Sequence, residues 1–386
     1  MKQLTSLFLV PSFYGLVSWV FGLSMLLISP IDTNEISLLG KTIFLYILVV
    51  FVCSAFFFYK KYDNVKHRKI TNGNFIFLYL ICGAIGFFGL FKYYVDFASF
   101  FGGWNPFFHT LFNDPMQIRA KAAEETSIGF QLSYFSWISL FSGVVYLAEK
   151  KAHSIKSWIV LCSCTLIFIL NTGFMDRTRP TWLLLLIFFA LVSAGENKTL
   201  YLRKKIIKFI IIITSMIIIF PLISGKYGEE GVFNNIFIYI TGGFPYVDAA
   251  MNDSNNVNYG IENTFYPVSK MFEIIGIKET LSTQILEFRE VPFMTNVGTF
   301  IEPFVADGGV LYVLLLTPIM IFMFDFIGLY MYRENTTISM FIWSNLIYCM
   351  ALAFFASRFT NTAIYLFVFI YFFCKPVFSI RSRKLI

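Results

Sequence analysis

Two arginines stand in a short polar hinge between two strongly apolar runs, in the segment NTGFMDRTRPTWLLLL (171–186). Arg177 and Arg179 are therefore placed at the mouth of a hydrocarbon layer, where a charge is costly. A guanidinium is always charged and binds phosphate through two parallel hydrogen bonds. At a membrane surface the available anions are lipid headgroups and lipid-linked pyrophosphates. The pair can bind such an anion, or it can simply lie at the interface and pair with carboxylates such as Asp176.

Three further arginines, Arg119, Arg289 and Arg358, occupy other polar connections that charge distribution assigns to the same side of the membrane. Arginine is disfavoured on the non-cytoplasmic side, and Arg177, Arg179 and Arg358 lie in short connections there. Their presence there calls for a partner, and the same anions are the candidates. For Arg358 an interfacial position without a ligand is the competing interpretation.

Two carboxylates precede a late apolar run in the segment TNVGTFIEPFVADGGVLYVLLL. Glu302 and Asp307 are therefore among the outer polar residues that could carry chemistry. The competing interpretation of Asp307 is a helix cap, because it stands where a membrane helix begins and the helix dipole favours a negative charge.

Several familiar chemistries are absent from the sequence. It contains neither a GxxxxGK[ST] nucleotide loop nor an HExxH zinc motif. The three histidines, His67, His109 and His153, are too dispersed for a metal cluster or a histidine-based triad. All six cysteines fall inside apolar runs, which disfavours disulfides and thiolate metal sites. We therefore predict no metal, no cofactor and no nucleic-acid partner.

Composition assigns the chain to membrane proteins. Hydrophobic residues make up 57% and charged residues 14% of the sequence, against roughly 45–50% and about 25% in soluble domains. Apolar runs recur from residue 7 to residue 380 without a long polar tract that could fold separately. The expected fold is an all-α, polytopic integral membrane protein that forms a single membrane domain over residues 1–386.

Windows of about 20 apolar residues identify about ten transmembrane helices. The predicted spans are 7–29, 39–59, 75–95, 127–148, 157–174, 181–195, 206–224, 308–332, 338–356 and 362–380.

The connections alternate in charge. The basic ones lie at 60–69, 149–156, 196–208 and 333–337 and in the C-terminal tail. The positive-inside rule makes this side cytoplasmic, with both termini inside. A medium outer loop then covers residues 96–126 and a long outer loop covers residues 225–307. Because long loops without a domain of their own are usually functional, we expect the protein to act on the outer side.

The long outer loop contains one helical pattern. YPVSKMFEIIGI (266–277) opens with Pro267 and repeats apolar residues at helical spacing, which predicts a short interfacial helix. The loop is also rich in aromatic residues, including Phe244 and Tyr246. Such rings either form an interfacial belt or stack on sugar faces, and the belt is the commoner role.

These segments resemble those of the Wzy-type O-antigen and capsule repeat-unit polymerases. TGFMDRTRPTWLLLL resembles the TG-x-R turn of that family, and TNVGTFIEPFVADGGVLYVLLL resembles its Asn, Thr and Asp-Phe-Gly-like turn before a late span. YITGGFPYVDAAM (239–251) and QIRAKAAEETSIGFQLSY (117–134) fall where the family keeps an aromatic-glycine turn and an outer arginine. The family's Asp-Phe-Gly is Asp307-Gly308-Gly309 here, and two arginines occupy the first turn where one is usual.

The resemblance implies a membrane glycosyltransferase in the bacterial cytoplasmic (inner) membrane. Such an enzyme transfers a growing glycan from undecaprenyl pyrophosphate to the next lipid-linked repeat unit, without a metal or a nucleotide. Its partners would be undecaprenyl-pyrophosphate-linked glycans, the lipid bilayer and a chain-length regulator. The residues assigned to pyrophosphate are Arg177, Arg179 and Arg289, followed by Arg119 and Arg358. Asp307 or Glu302 is assigned as the base or the acceptor anchor.

Three other functions remain as alternatives. An O-antigen ligase of similar topology would use a histidine in the long outer loop, and residues 225–307 contain none. A flippase or transporter for lipid-linked oligosaccharides would typically show inverted repeats and several ionisable residues within its spans. Asp325 is almost the only carboxylate at such depth. A membrane scaffold without catalysis is the third alternative.

Overall fold

The structure is a computed structural model in which helices predominate. It describes residues 3–29, 35–65, 70, 77–114, 117–118, 121, 128–149, 154–173, 178–195, 198, 201–202, 205–207, 237–253, 259–277, 289–291 and 294–382. Within these residues the α-helices, numbered in chain order, are α1 (Pro11–Ile28), α2 (Leu38–Asp63), α3 (Cys82–Phe100), α4 (Trp104–Asn113), α5 (Ile128–Ser133), α6 (Phe135–Glu149), α7 (Ile155–Thr172), α8 (Thr178–Ala194), α9 (Gly243–Asn252), α10 (Tyr266–Ile274), α11 (Glu302–Glu334), α12 (Thr337–Ala351) and α13 (Thr362–Ser382).

The described chain also contains short irregular helices and one strand pair. Gln3–Leu9 and Arg358–Thr360 are 3₁₀ turns, and Phe77–Ile81 is a π-helical turn before α3. Strands β1 (Arg289–Glu290) and β2 (Met294–Thr295) pair antiparallel, with Arg289 opposite Thr295.

Six helical segments in the described part of the chain are long and apolar enough to cross a membrane. They are Pro11–Ile28, Leu38–Asp63, Leu78–Phe100, Ile128–Glu149, Ile155–Thr172 and Glu302–Glu334. Shorter apolar helices cover Thr178–Ala194, Thr337–Ala351 and Thr362–Phe373. The protein is therefore a multi-pass membrane protein by helix length and composition. The count of ten stays a prediction, since most of the predicted span 206–224 lies outside the described residues.

The chain divides into two compact units. Unit 1 comprises Met1–Lys66, Tyr227–Arg333 and Asn345–Phe369, and unit 2 comprises His67–Lys226, Glu334–Ser344 and Ile370–Ile386. The core of unit 1 is built around Trp19, which is fully buried. Its indole packs at steep angles against the rings of Phe44, Phe51, Phe244 and Phe300. Phe244 therefore belongs to the core, neither to an interfacial belt nor to a sugar platform.

Unit 2 contains a close helix contact made by small residues. Gly83, Gly86 and Gly89 repeat at every third position of α3 and face serines on α5 and α6. A Cβ atom added to Gly86 would lie 2.2 Å from the backbone nitrogen of Ser136, so only glycine allows this approach. Small residues at such positions let membrane helices pack backbone to backbone.

The predicted sidedness agrees with the packing in unit 1. A Cβ atom on Gly328 would lie 2.9 Å from Cγ of Pro11 and 2.8 Å from the hydroxyl of Tyr62, so the predicted cytoplasmic ends of α1, α2 and α11 lie together. At the other end of α2, the backbone nitrogen of Ser37 donates to Asp248 Oδ2 at 2.9 Å. Asp248 belongs to the predicted outer loop.

The predicted cytoplasmic connections of unit 2 also meet. Lys198, in the connection 196–208, donates from Nζ to Oδ1 of Asn335. Lys375 forms a 3.0 Å ion pair with Glu334. These contacts support the alternation of the spans, while the assignment of this end to the cytoplasm stays a prediction.

Helix α11 is broken near its start. Gly308 has φ −157° and Gly309 has φ 61° and ψ −151°, a backbone conformation that glycine alone adopts readily. The break separates a short segment, 302–307, from the long apolar segment that corresponds to the predicted span 308–332. Glu302 and Asp307 therefore lie before the span, on the side predicted to be the outer one.

Candidate functional site

Asp307 is fully buried beside the break in α11. Its Oδ1 accepts hydrogen bonds of 2.9 Å from both the backbone nitrogen and Nδ2 of Asn263, and its Oδ2 accepts one of 2.7 Å from the backbone nitrogen of Thr264. The carbonyl oxygen of Asp307 accepts a further bond of 3.0 Å from the amide of Gly260. These contacts hold the turn 260–264 against the start of α11.

The structure does not support the interpretation of Asp307 as the cap of the membrane helix that follows it. In the described residues its carboxylate binds the backbone of a distant loop, not the first amides of the helix that follows. The reason is the break, because the non-helical backbone at Gly308 and Gly309 separates residue 307 from that helix. Sequence spacing alone does not reveal such a partner forty residues away.

Glu302 lies in the first turn of α11 and interacts electrostatically with two charged neighbours. Asp307 repels its negative charge and Arg289 attracts it. The amide of Glu302 donates to the carbonyl oxygen of Thr299 at 3.2 Å. Three of the predicted site residues, two carboxylates and one guanidinium, are thus electrostatically coupled within unit 1.

Two buried hydroxyl groups accompany these charges. Thr299, one turn before Glu302, is fully buried, and Thr264, whose amide binds Asp307, is 1% exposed. Their Oγ1 atoms have no hydrogen-bond partner among the described residues. Because buried polar atoms are normally satisfied, the polar cluster has unused capacity for hydrogen bonds.

Arg289 is the accessible cation of this cluster. Its side chain is 28% exposed, its Nη1 lies 3.9 Å from Oδ2 of Asp253, and its guanidinium lies 5.4 Å from the ring centre of Tyr246. The distance to Asp253 is long for a hydrogen bond. In the described part of the chain no hydrogen bond engages this guanidinium, so its donors are available to an anion.

Arg358 lies in the 3₁₀ turn between α12 and α13. Its guanidinium is 5.8 Å from the ring centre of Phe355, and its buried Nε has no hydrogen-bond partner among the residues described. The next residue, Phe359, stacks on Phe304 of α11 with ring centres 5.6 Å apart. The connection that carries Arg358 therefore packs on the segment that carries Glu302.

Arg179 belongs to unit 2 and is 2% exposed. Its Nη1 donates to Oγ of Ser133 at 2.9 Å and to Oδ1 of Asn171 at 3.0 Å. Its guanidinium lies 4.1 Å from the ring centre of Phe130 and 4.7 Å from that of Tyr134. Burial in this aromatic cage keeps the charge away from a ligand in the present conformation, so the geometry favours a positioning role.

The glycine of the TG turn has a packing reason. A Cβ atom on Gly173 would lie 2.2 Å from the hydroxyl oxygen of Tyr94. That hydroxyl donates to the carbonyl oxygen of Leu170 at 2.5 Å. The glycine thus leaves room for Tyr94, whose hydroxyl binds a carbonyl oxygen in the last turn of α7. The two remaining predicted arginines, Arg119 and Arg177, lie outside the described residues.

Sequence reasoning missed the polar partners of Arg179 in unit 2 and, separately, those of Asp307 in unit 1. Asn171, Ser133, Asn263 and Thr264 are short polar residues with no distinctive spacing, and only tertiary structure reveals their role. Among the described residues no group of three or more His, Cys, Asp or Glu side chains could hold a metal ion.

Comparisons of the chain with protein-family models, with curated proteins and with solved structures find no match. Support for a function therefore comes from the geometry of the site and from the sequence segments that it contains.

Proposed function

We propose that the protein polymerises undecaprenyl-pyrophosphate-linked oligosaccharide repeat units into O-antigen or capsular polysaccharide at the outer face of the bacterial cytoplasmic membrane. The observation that carries the proposal is the electrostatic coupling of Glu302 to Asp307 and Arg289, in a segment that immediately precedes a candidate membrane span. A base next to a cation at the mouth of a span suits a substrate that is a sugar at one end and a lipid at the other.

The reaction needs a proton acceptor and a site for the leaving group. The hydroxyl of the acceptor sugar attacks the anomeric carbon of the donor glycan, and its proton passes to the carboxylate of Glu302. The bond between the anomeric carbon and the pyrophosphate oxygen breaks, and undecaprenyl pyrophosphate leaves with the electron pair. Arg289, whose donors are available, stabilises the negative charge that develops on that oxygen.

Asp307 and Arg179 have positioning roles in this proposal. Asp307 already accepts hydrogen bonds from Asn263 and Thr264, so it fixes the loop beside the base. Arg179 is enclosed by aromatic rings. Arg358 is the second candidate for the leaving group, because its turn packs on α11 and its Nε is unused.

The test is the length of surface glycans in cells that lack this protein and carry a complementing variant at matched membrane abundance. We expect Glu302→Gln and Arg289→Ala to yield mostly single repeat units, whereas wild type restores the ladder of long chains. Glu290→Gln is the matched control, because Glu290 is exposed and adjacent to Arg289 in sequence.

Three results would contradict the proposal. An unchanged ladder in the deletion strain would exclude polymerisation as the function. Intact ladders whose transfer to the lipid A core fails would indicate a ligase. Accumulation of repeat units on the cytoplasmic side would indicate a flippase.

A further inference from the structure

A short helix in the predicted outer loop 96–126 exposes a stripe of aromatic side chains. On α4 the exposed fractions are 45% for Trp104, 46% for Phe108 and 79% for Phe112. These residues follow each other at intervals of four, so they lie on one side of the helix. The rings of Trp104 and Phe108 stack, with centres 5.8 Å apart.

The remaining faces of α4 are clearly separated. Phe107 is fully buried, and with Leu111 it packs against the unit 2 cluster that includes Tyr93 and Phe97. On the other side the exposed residues are polar, namely Asn105, His109 and Asn113. With about 100° of rotation per residue, the aromatic stripe falls between the buried flank and the polar flank. The apolar side of α4 therefore has two parts. Protein covers the part with Phe107 and Leu111, whereas the aromatic stripe is exposed.

The position of α4 along the chain places this uncovered arc at the end of a membrane span. Helix α3 ends at Phe100, and Trp104 begins α4 after a tight turn in which Gly102 and Gly103 have φ values of 80° and 128°. Phe91 and Phe100 on α3 are 66% and 44% exposed. Exposed apolar side chains therefore occur on both α3 and α4, and Trp104 lies just beyond the end of a candidate span, where tryptophan is enriched in membrane proteins.

We propose that α4 lies in the plane of the membrane interface, with Trp104, Phe108 and Phe112 inserted at the boundary between headgroups and acyl chains. The aromatic stripe then contacts the lipid bilayer, and the polar flank of α4 faces water. The helix sequence WNPFFHTLFN carries no acidic or basic residue apart from His109. The contact is therefore hydrophobic, and we expect it to be the same in zwitterionic and anionic bilayers.

The test compares two neighbouring positions, one in the aromatic stripe and one on the polar flank, in the full-length protein reconstituted into phosphatidylcholine vesicles. All six native cysteines are first replaced by alanine, and an environment-sensitive fluorophore is attached to Phe108→Cys or to the matched control His109→Cys. We expect brominated lipids to quench the label at position 108 at least about twofold more than at 109, and aqueous iodide to quench in the opposite order. Vesicles containing phosphatidylglycerol should give the same result.

Two outcomes would overturn the proposal. Equal quenching of both labels by iodide would show that the stripe faces water, as a platform for a soluble ligand would. Shielding of position 108 from both quenchers would show that protein covers the stripe. If the cysteine-free chain does not fold, the protein with its native cysteines is used instead. In that protein, quenching of tryptophan fluorescence by brominated lipids is compared between wild type and Trp104→Phe. A loss of lipid quenching on removing Trp104 supports insertion, and no difference contradicts it. Neither readout depends on polymerase activity, so the inference stands or falls separately from the proposed function.

Discussion

Asn171 and Arg179 face each other across the hinge between α7 and α8, joined by a 3.0 Å hydrogen bond from Nη1 of the arginine to Oδ1 of the asparagine. The same oxygen accepts a 2.9 Å bond from Nε1 of Trp137 on α6. One amide oxygen therefore connects three helices of unit 2 and holds a buried cation in place.

Replacing Asn171 by leucine should destabilise the protein. The change removes the acceptor shared by Trp137 and Arg179, and we expect a loss of about 2–4 kcal/mol, because a buried donor without its partner is costly, most of all when it is charged. The measurement is the midpoint of thermal unfolding in detergent, with tryptophan fluorescence as the signal that reports unfolding. Thr172→Val is the control, since the Thr172 hydroxyl binds only the helix carbonyl of Phe168 among the described residues. Equal midpoints for Asn171→Leu and wild type would contradict the prediction.

The glycine contact of α3 predicts a large effect from a single methyl group. In Gly86→Ala the new Cβ meets the backbone of Ser136, and overpacking of this kind costs roughly 1–3 kcal/mol or more. We expect a lower unfolding midpoint and a smaller folded fraction on size-exclusion chromatography. The larger change Ala84→Leu, on the exposed side of the same helix, should be tolerated. A reversed order of the two variants would show that α3 packs through another face.

The two hinge arginines should separate in their effects. Arg179→Met removes a cation from a closed cage, so we expect it to lower both the unfolding midpoint and the abundance of the protein. Arg177→Ala should shorten surface glycans without changing the midpoint, if Arg177 binds pyrophosphate. The double variant with Arg177→Ala and Arg179→Ala should give single repeat units. A full ladder from the double variant at matched abundance would show that neither arginine is needed for polymerisation.

Stability should depend on pH through Lys198. This side chain is 2% exposed, and burial lowers the pKa of Lys198 to about 8. Between this pKa and the ordinary value near 10.5, the unfolded chain holds a proton that the folded chain has lost, so stability rises with pH in this window. We expect wild type to gain roughly 2–3 kcal/mol relative to Lys198→Met between pH 7 and pH 10.5.

The comparison with Lys198→Met cancels the titration of other groups. The two proteins are followed by thermal unfolding in detergent at matched ionic strength. Parallel pH profiles would show that the amine keeps its ordinary pKa.

The membrane helices were predictable because each needs only a long apolar run. Nine predicted spans coincide with long or shorter apolar helices of the structure. The helix predicted within 266–277 is confirmed as Tyr266–Ile274. In contrast, α4 and α9 escaped prediction because each has ten residues of mixed polarity, too few for the period to stand out from loop composition.

The candidate site was predictable in residue type but not in pairing. Glu302, Asp307 and Arg289 attract notice as charges in predicted outer segments, and in the structure Asp307 and Arg289 both interact electrostatically with Glu302. Asp307 nevertheless has loop amides as partners, and Arg179 is enclosed by rings from α5 and α6. Such pairings depend on how distant segments pack, and a single sequence carries no local signal for them.

The break at Gly308 and Gly309 gives α11 a mechanical joint. In a continuous helix each residue is related to the next by a fixed rotation of about 100°. Any tilt or rotation of the span would therefore also move Glu302. With the joint in place, the lipid-facing segment can adjust to a thicker or thinner bilayer. Asp307, meanwhile, stays fastened to the turn at 260–264. A side chain at position 309 would be strained in this conformation and would favour a continuous helix. Bilayer thickness would then be coupled to the geometry of the carboxylates without a change in any charged residue.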